Sequence, residues 1–522
     1  MGKLVLLGIG CALVALCGRA DADEVASLSA TIDRLIAQRW EAEQIVPAPL
    51  ADDAEFLRRL HLDLCGRIPR ASEVRDFLAD KAPDKRRREI DRLLKTPTFV
   101  IHHTNLWRAA MIPEADASQE IRFQLPGFEA WLRSRIAENR NFAEIAREML
   151  TLPLSPDARQ QFAQPESSTP VAFFQAKEFR VERLAAATSR LFLGVRIDCA
   201  QCHDHPFDHW KQPEFWSFAA LFGDLAPFQP GEEALKFSSD RRKITIPDTE
   251  RTVDAAYLGQ PVGEWKNGLS GRELLADWIT SPENPYFARA IVNRLWSYHF
   301  GQGLVDPMDD FSDLNPASHP ELLNLLANEF VAHDYDVKWI IRAITNCRTY
   351  QLTSRQTEES QGDRRLFARM FVRGLTPEQI FDSLAQATGY RQPFDPEQPL
   401  NFNNDESRQE FIGMFANESD TPIDRATTIL QALTLMNGQF VGAATDLTDS
   451  RTLAAIIDAP FLDVSGQVDA LYLATLNRFP TDVERTHCVE YITGGGPKKD
   501  PKSALGDLFW ALLNSGEFLL NH

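Results

Sequence analysis

Apolar residues recur along almost the whole of this 522-residue chain at the three-and-four spacing of a helix, and strand-like alternation is nearly absent. Phe56, Leu57, Leu60 and Leu64 fall on one face, as do Ile90, Leu93 and Leu94. Val74, Phe77 and Leu78 follow Ser72 in the same way, and Ala130, Ile136, Phe142, Ile145 and Met149 place one or two helices between Phe128 and Leu150. Val181, Leu184, Leu191, Phe192 and Val195 mark a helix that leads directly into a cysteine motif. Strands do not alternate with helices and no glycine-rich loop is built to cradle phosphate, which disfavours a doubly wound α/β fold.

Local start and stop signals agree. Ser318-x-x-Glu321, Thr376-Pro377-x-Gln379 and Thr481-x-x-Glu484 read as capping boxes, and Asn514-Ser515-Gly516 closes a last helix over Leu505 to Leu513. Prolines 227, 230, 247 and 261 interrupt the pattern between Asp224 and Gly268, where Lys243 to Ile246 is the best strand candidate. Leu152 to Pro170 and Asn401 to Glu406 read as polar loops. The expected fold is mainly α, with two helical domains at 23–225 and 269–522. A Pro-rich linker with a small β element, 226–268, joins them.

Residues 1–22 have the layout of a secretory signal peptide. Lys3 precedes an apolar run from Leu4 to Leu16, too short to span a bilayer, and Ala20-Asp21-Ala22 supplies small residues for cleavage. Leu16 before Cys17, and Gly8-Ile9-Gly10 before Cys11, argue against a lipid anchor. The expected location is periplasmic or extracellular, with no transmembrane segment after cleavage. The net charge of −19 argues against nucleic acid and leaves room for a basic partner such as a positively charged electron carrier.

Export gives the remaining cysteines their meaning. Cys65, Cys347 and Cys488 read as small buried hydrophobes, with a Cys347–Cys488 pairing left open. Cys199-Ala200-Gln201-Cys202-His203 is the arrangement that covalent attachment of haem c requires: two thiols on one turn, then an imidazole for the iron. His209, His299, His319 and Met308 are the candidates for the sixth ligand, His205 lying too close to His203. Trp210 and Trp216, with Phe207, Phe215, Phe218 and Phe222, suit either a macrocycle wall or an ordinary core. Two other classes stand beside haem. One is a haem-free exported binding or scaffold protein whose Cys-x-x-Cys is structural. The other is a metal-dependent hydrolase using His203, His205 and Asp208. A zinc site on Cys199, Cys202, His203 and His205 would strain so short a stretch.

A second constellation runs Arg289-x3-Asn293-Arg294-x-Trp296-x2-His299-Phe300-Gly301, followed by Asp306, Asp309, Asp310 and Asp313. Asn293, Arg294, His299 and Asp309 are catalytic candidates, and an ion pair between Arg294 and a nearby aspartate is the competing account. The aspartates lack calcium-loop spacing. The Lys85-Arg86-Arg87-Arg88 run reads as the solvated face of an amphipathic helix.

The stretch from Asp52 through Leu62-Asp63-Leu64-x-Gly66-Arg67-Ile68-Pro69, and Phe192-Leu-Gly-Val through Cys199-Ala-Gln-Cys-His-Asp-His-Pro-Phe-Asp208, resemble the opening and closing signatures of the domain of unknown function 1549, the planctomycete cytochrome-associated domain. Ile291-Val-Asn-Arg-Leu-Trp296, Ser318-His-Pro-Glu-Leu-Leu323, Leu430-Gln-Ala-Leu433, Asn477-Arg-Phe-Pro480 and Trp510-Ala-Leu-Leu-Asn-Ser515 resemble its partner, the domain of unknown function 1553. The resemblance extends from about Asp52 to His522. It implies an exported protein associated with cytochromes. Many relatives carry an additional cytochrome-like domain before these two, whereas here the first motif follows the expected leader closely, so the electron carrier or cytochrome would be a separate soluble protein. The expected function is haem c binding for electron transfer or for haem-linked oxidation of an unknown substrate. As an enzyme the chain would be a c-type-haem-dependent oxidoreductase, acting on a small molecule or carbohydrate.

Overall fold

The computed structural model describes residues 2–154, 168–228, 235–266, 268–391, 406–415, 442 and 450–522. Parts of both expected loops, 155–167 and 401–405, lie outside the described residues. The fold is mainly α. Strands among the described residues form only two-stranded antiparallel ladders.

The first helix, Gly2–Ala42, buries Val25, Leu28, Ile32, Ile36 and Trp40 along one stripe. That stripe packs on the helices Val337–Asn346 and Pro320–Ala332. Ser29 Oγ donates to the Ala343 carbonyl at 2.8 Å and Trp40 Nε1 to the Leu366 carbonyl at 2.7 Å. No helix among the described residues is long and apolar enough to cross a membrane.

The next helix, Asp53–Cys65, is central. Asp52 caps its start, and every residue from Phe56 to Cys65 is buried. Gly66 ends it at φ 68°, a left-handed conformation, and a Cβ there would lie 2.5 Å from His102 Nδ1. Both the backbone angle and the close approach require glycine. The helix feeds two apolar clusters. Phe56, Leu57, Leu60 and Leu64 join a large core that includes Val25, Trp107, Phe192, Phe218, Trp296, Ile340 and Met370. Leu62 joins a smaller core with Phe381, Leu384, Leu471, Phe509 and Phe518.

Thr376 and Thr481 cap their helices with reciprocal Gln379 and Glu484, as their sequences indicate. Ser318 does not. The helix begins at Pro320 with His319 in the cap position, because the Ser318 amide is drawn inward to the Leu304 carbonyl at 2.7 Å. The last long helix starts earlier than expected, at Pro501, because Asp500 caps it. It ends at Leu513, with Asn514 as its C-cap.

Within 226–268, Lys243–Thr245 pairs with Thr252–Asp254, and Ala256–Tyr257 with Gln260–Pro261. This segment is packed. Ile244, Ile246 and Leu258 enter the large core, and Tyr257 stacks on Trp278 at 4.8 Å. The Lys85–Leu93 helix divides its basic run: Arg87 and Arg88 are exposed and pair with Asp84 and Asp80, as a solvated face would, whereas Lys85 and Arg86 are half-buried, paired with Asp53 and laid over the Phe77 and Phe56 rings.

Candidate functional site

The helix expected to run into the cysteine motif stops short of it. Val181–Thr188 passes into a π-turn, Ser189–Leu193, and Gly194 at φ 68° terminates it. Cys199 lies in a separate 3-10 turn, Asp198–Gln201, and Cys202 is its C-cap. Ala200 is fully buried and anchors that turn, while Cys199 and Cys202 on either side are exposed free thiols.

The following helix, Gln212–Ala219, holds the turn in place. Trp216 Nε1 donates to the Gln201 carbonyl at 3.0 Å, and Gln212 Nε2 donates to the Cys202 carbonyl at 2.9 Å. Asp204 accepts the Gln212 amide at 3.1 Å at the helix start, and this bond, with Lys211 beside it, lowers the Asp204 pKa. The His205 amide closes the loop on the Trp210 carbonyl at 2.8 Å. His203 is exposed, and its Nδ1 lies 2.8 Å from the Asp204 carbonyl. A carbonyl accepts only, so this nitrogen carries the proton and the lone pair sits on Nε2.

These residues fit the attachment chemistry of haem c: two accessible thiols one turn apart and an imidazole whose Nε2 is in the ligating form. The surrounding aromatics are placed differently. Trp210, Phe215, Trp216, Phe218 and Phe222 are all buried core, and Phe207 alone projects, 76% exposed. His203, His205 and Asp208 do not converge. His205 Nδ1 accepts the Phe207 amide, and Asp208 is engaged by His209 at 2.7 Å. No group of three His, Cys, Asp or Glu among the described residues is placed to hold a metal ion.

The second constellation divides. Asn293, on the helix Phe287–Phe300, clamps the following loop with both ends of its amide: Nδ2 donates to the Val305 and Met308 carbonyls, and Oδ1 accepts the Val305 amide. Its polar atoms are thereby used in structure. Arg294 donates to the Met308 sulfur at 3.2 Å. Asp309 pairs instead with Arg196, at 2.9 Å from Nε and 2.5 Å from the terminal nitrogen, with Arg190 at 3.9 Å. Phe311 donates its amide to the Gly194 carbonyl at 2.9 Å and lays its ring where a Gly194 side chain would be. Burial raises the Tyr286 phenol, and Asp208 and Asp313 both add to that shift from nearby. The segment that leads into the cysteine turn, through Gly194 and Arg196, therefore packs on the aspartate loop.

The sixth-ligand candidates are dispersed. His209 is stacked on Trp210 and paired with Asp208. The Met308 sulfur is taken by Arg294. His319 is buried beside Ser318 and Phe367, and burial pulls it down to about 4. His299 is buried with Nδ1 on the Leu295 carbonyl at 2.7 Å, in a different cluster.

That cluster centres on Asp63. Arg373 reaches both of its carboxylate oxygens at 3.0 Å, Tyr350 donates at 2.8 Å and Asn521 at 2.7 Å. Burial pulls His102 down to about 4, against the opposing pull of the Asp63 and Glu378 carboxylates, and it depresses His103 and His299 as well. On the same central helix, Arg58 donates to the carbonyls of Thr475, Glu517 and Phe518, and Arg59 to those of Tyr350 and Leu352. Sequence reasoning passed over this junction. Its one signal is the density of Arg, His and Asp on a helix that also carries a full apolar face.

Cys65 and Cys347 are buried free thiols, and burial pushes both upward. Cys488 is a free thiol against the smaller core, beside Tyr472, and is not bonded to Cys347.

Two family models match the chain: PSCyt2, described as a protein of unknown function (DUF1549), over residues 31–226, and PSD1, described as a protein of unknown function (DUF1553), over residues 271–422. The first match begins earlier than the Asp52 motif and takes in part of the packed N-terminal helix. The second ends before the Leu430, Asn477 and Trp510 motifs. No curated protein and no solved structure matches the chain. The cysteine turn closes the first matched region, and the Asn293 helix with its aspartate loop lies inside the second. The chain thus belongs to the family in which a PSCyt2 domain is followed by a PSD1 domain.

Proposed function

We propose that this chain is an exported electron-transfer protein in which Cys199 and Cys202 would hold one covalent haem c and His203 would ligate its iron. The observation that carries the reading is the turn itself: two exposed free thiols beside an imidazole whose lone pair is on Nε2. Cys199 and Cys202 would hold the group as two thioethers, a linkage that involves no net oxidation. When bound, the group supplies one-electron exchange. The chain's own residues hold the platform. Gln212 and Trp216 tie down the turn's carbonyls, and the Asp204 carbonyl fixes the His203 tautomer. Residues 1–22 act as the export signal in this reading, because haem is attached outside the cytoplasm.

Expression of the full chain in a host with haem-attachment machinery tests this. The expected product has a Soret band that survives denaturation, and the peptide holding Cys199 and Cys202 gains the mass of one haem. The double substitution Cys199→Ser and Cys202→Ser removes both signals. A colourless protein with two titratable thiols on that peptide overturns the reading.

A further inference from the structure

A guanidinium keeps its proton even when buried, so each buried arginine needs an acceptor inside the fold. Arg59, Arg108, Arg133, Arg272, Arg373 and Arg408 are buried, and each meets a carboxylate. Arg58 meets the carbonyls of Thr475, Glu517 and Phe518. Among the described residues Arg294 is the exception: it is 8% exposed and has no oxygen partner. Its Nη1 donates to the neutral Met308 sulfur, and its buried Nε has no acceptor. A thioether is a weak acceptor and does little to offset the lost hydration of a cation.

Two more arginines gather at the same place. Arg294 follows Ala290 by one turn on the Phe287–Phe300 helix, and a Cβ on Gly194 would meet the Ala290 methyl at 3.2 Å. The segment through Gly194 therefore lies against that face of the helix, and the Phe311 amide holds it to the aspartate loop. At this contact Arg196 takes one oxygen of Asp309 at 2.5 Å, while Arg190 Nε stays 3.9 Å from the other. Met308 and Asp309 are adjacent residues, so three guanidiniums converge on a two-residue span. Arg196 is exposed and Arg190 partly so, which opens the cluster to solvent.

We propose that Arg190, Arg196 and Arg294 form a binding site for the oxyanion of a small molecule, a carboxylate, sulfate or phosphate group that supplies the acceptor Arg294 lacks. The site does not depend on the haem reading. The test is calorimetric titration of the full chain, made without haem attachment, with glucuronate, sulfate and inorganic phosphate in turn at constant ionic strength. Saturable binding of at least one is expected. Arg294→Met and Arg190→Met should each weaken it about tenfold or more. Arg289→Met, on the same helix but bonded to Asn324, should leave it unchanged. With no anion present, Arg294→Met removes an unmatched buried charge, so its urea midpoint should hold or rise. If that midpoint falls instead, Arg190→Met, at a partly exposed position, carries the binding test. No saturable binding of any probe, or binding undiminished by Arg294→Met and Arg190→Met, overturns the proposal. If the probe binds the unattached chain and a haem-bearing chain excludes it, the site holds a haem propionate. Binding by both assigns it to a separate ligand, and binding by a chain that never takes up haem leaves the site standing while the haem reading fails.

Discussion

The cysteine loop and the Asp63 junction contrast in almost every physical respect. Cys199, Cys202 and His203 stand in solvent, and His205, His209 and Asp208 are occupied by short-range bonds within the loop. Asp63, His102, His299, Tyr350 and Arg373 are buried, and they come from distant parts of the chain. The first region concentrates chemistry in sequence and the second concentrates electrostatics in space. Dense motifs and costly burial thus mark different places. A reactive group must be reached, so it lies where little depends on it. A buried charge must be matched from several elements at once, so it lies where the fold depends on it.

The largest effect expected is at the junction. Asp63→Ala leaves Arg373 buried without its carboxylate and releases Tyr350 and Asn521, and should cost about 3–5 kcal/mol in urea unfolding. A loss below about 1 kcal/mol, the ordinary worth of one hydrogen bond, would erase the contrast.

The next is pH dependence. His102 is neutral in the fold until about pH 4, whereas in the unfolded chain it takes a proton near its ordinary value of 6.5. Between those values the unfolded state holds more protons, so stability is full above pH 6.5 and is lost as pH falls towards 4. The loss from this one residue is on the order of 3 kcal/mol. His103 and His299 act in the same direction. The urea midpoint measured at pH 7 and pH 5 should therefore fall, and a flat profile would show that these imidazoles are solvated.

Thiol reactivity sharpens the contrast further. In chain made without haem attachment, Cys199 and Cys202 should react with a disulfide reagent about 100-fold or more faster than Cys65 and Cys347, which are buried with raised thiol pKa values.

Smaller effects belong to the loop. Gln212→Ala removes the donor to the Cys202 carbonyl and should cost about 1 kcal/mol, with faster amide exchange over 199–204. Cys199→Ala with Cys202→Ala should change stability by less than about 0.5 kcal/mol, as expected for exposed side chains.

Much of the fold was legible because helix periodicity and caps are local. The Asp53–Cys65 helix, the two Thr caps and the short β element come from neighbouring residues alone. The Ser318 cap was misread because a distant carbonyl, that of Leu304, claims its amide. The helix before the cysteines was overextended because the apolar pattern continues through Val195, past the point where Gly194 turns the backbone left-handed under the Phe311 ring. Arg294 was set against the aspartates because it is close to them in sequence, yet Asp309 faces Arg196 across the loop contact.

The amino-acid sequence by itself determined the helical class, the cysteine–histidine turn and the family, since each depends on residues within a few positions of one another. Tertiary structure alone decided that the aspartate loop packs on the segment leading into that turn, that Asn293 is a clamp, and that His299 lies beside the Asp63 junction. Those outcomes depend on which polar groups find partners, and a partner a dozen or more residues away leaves no trace in local spacing.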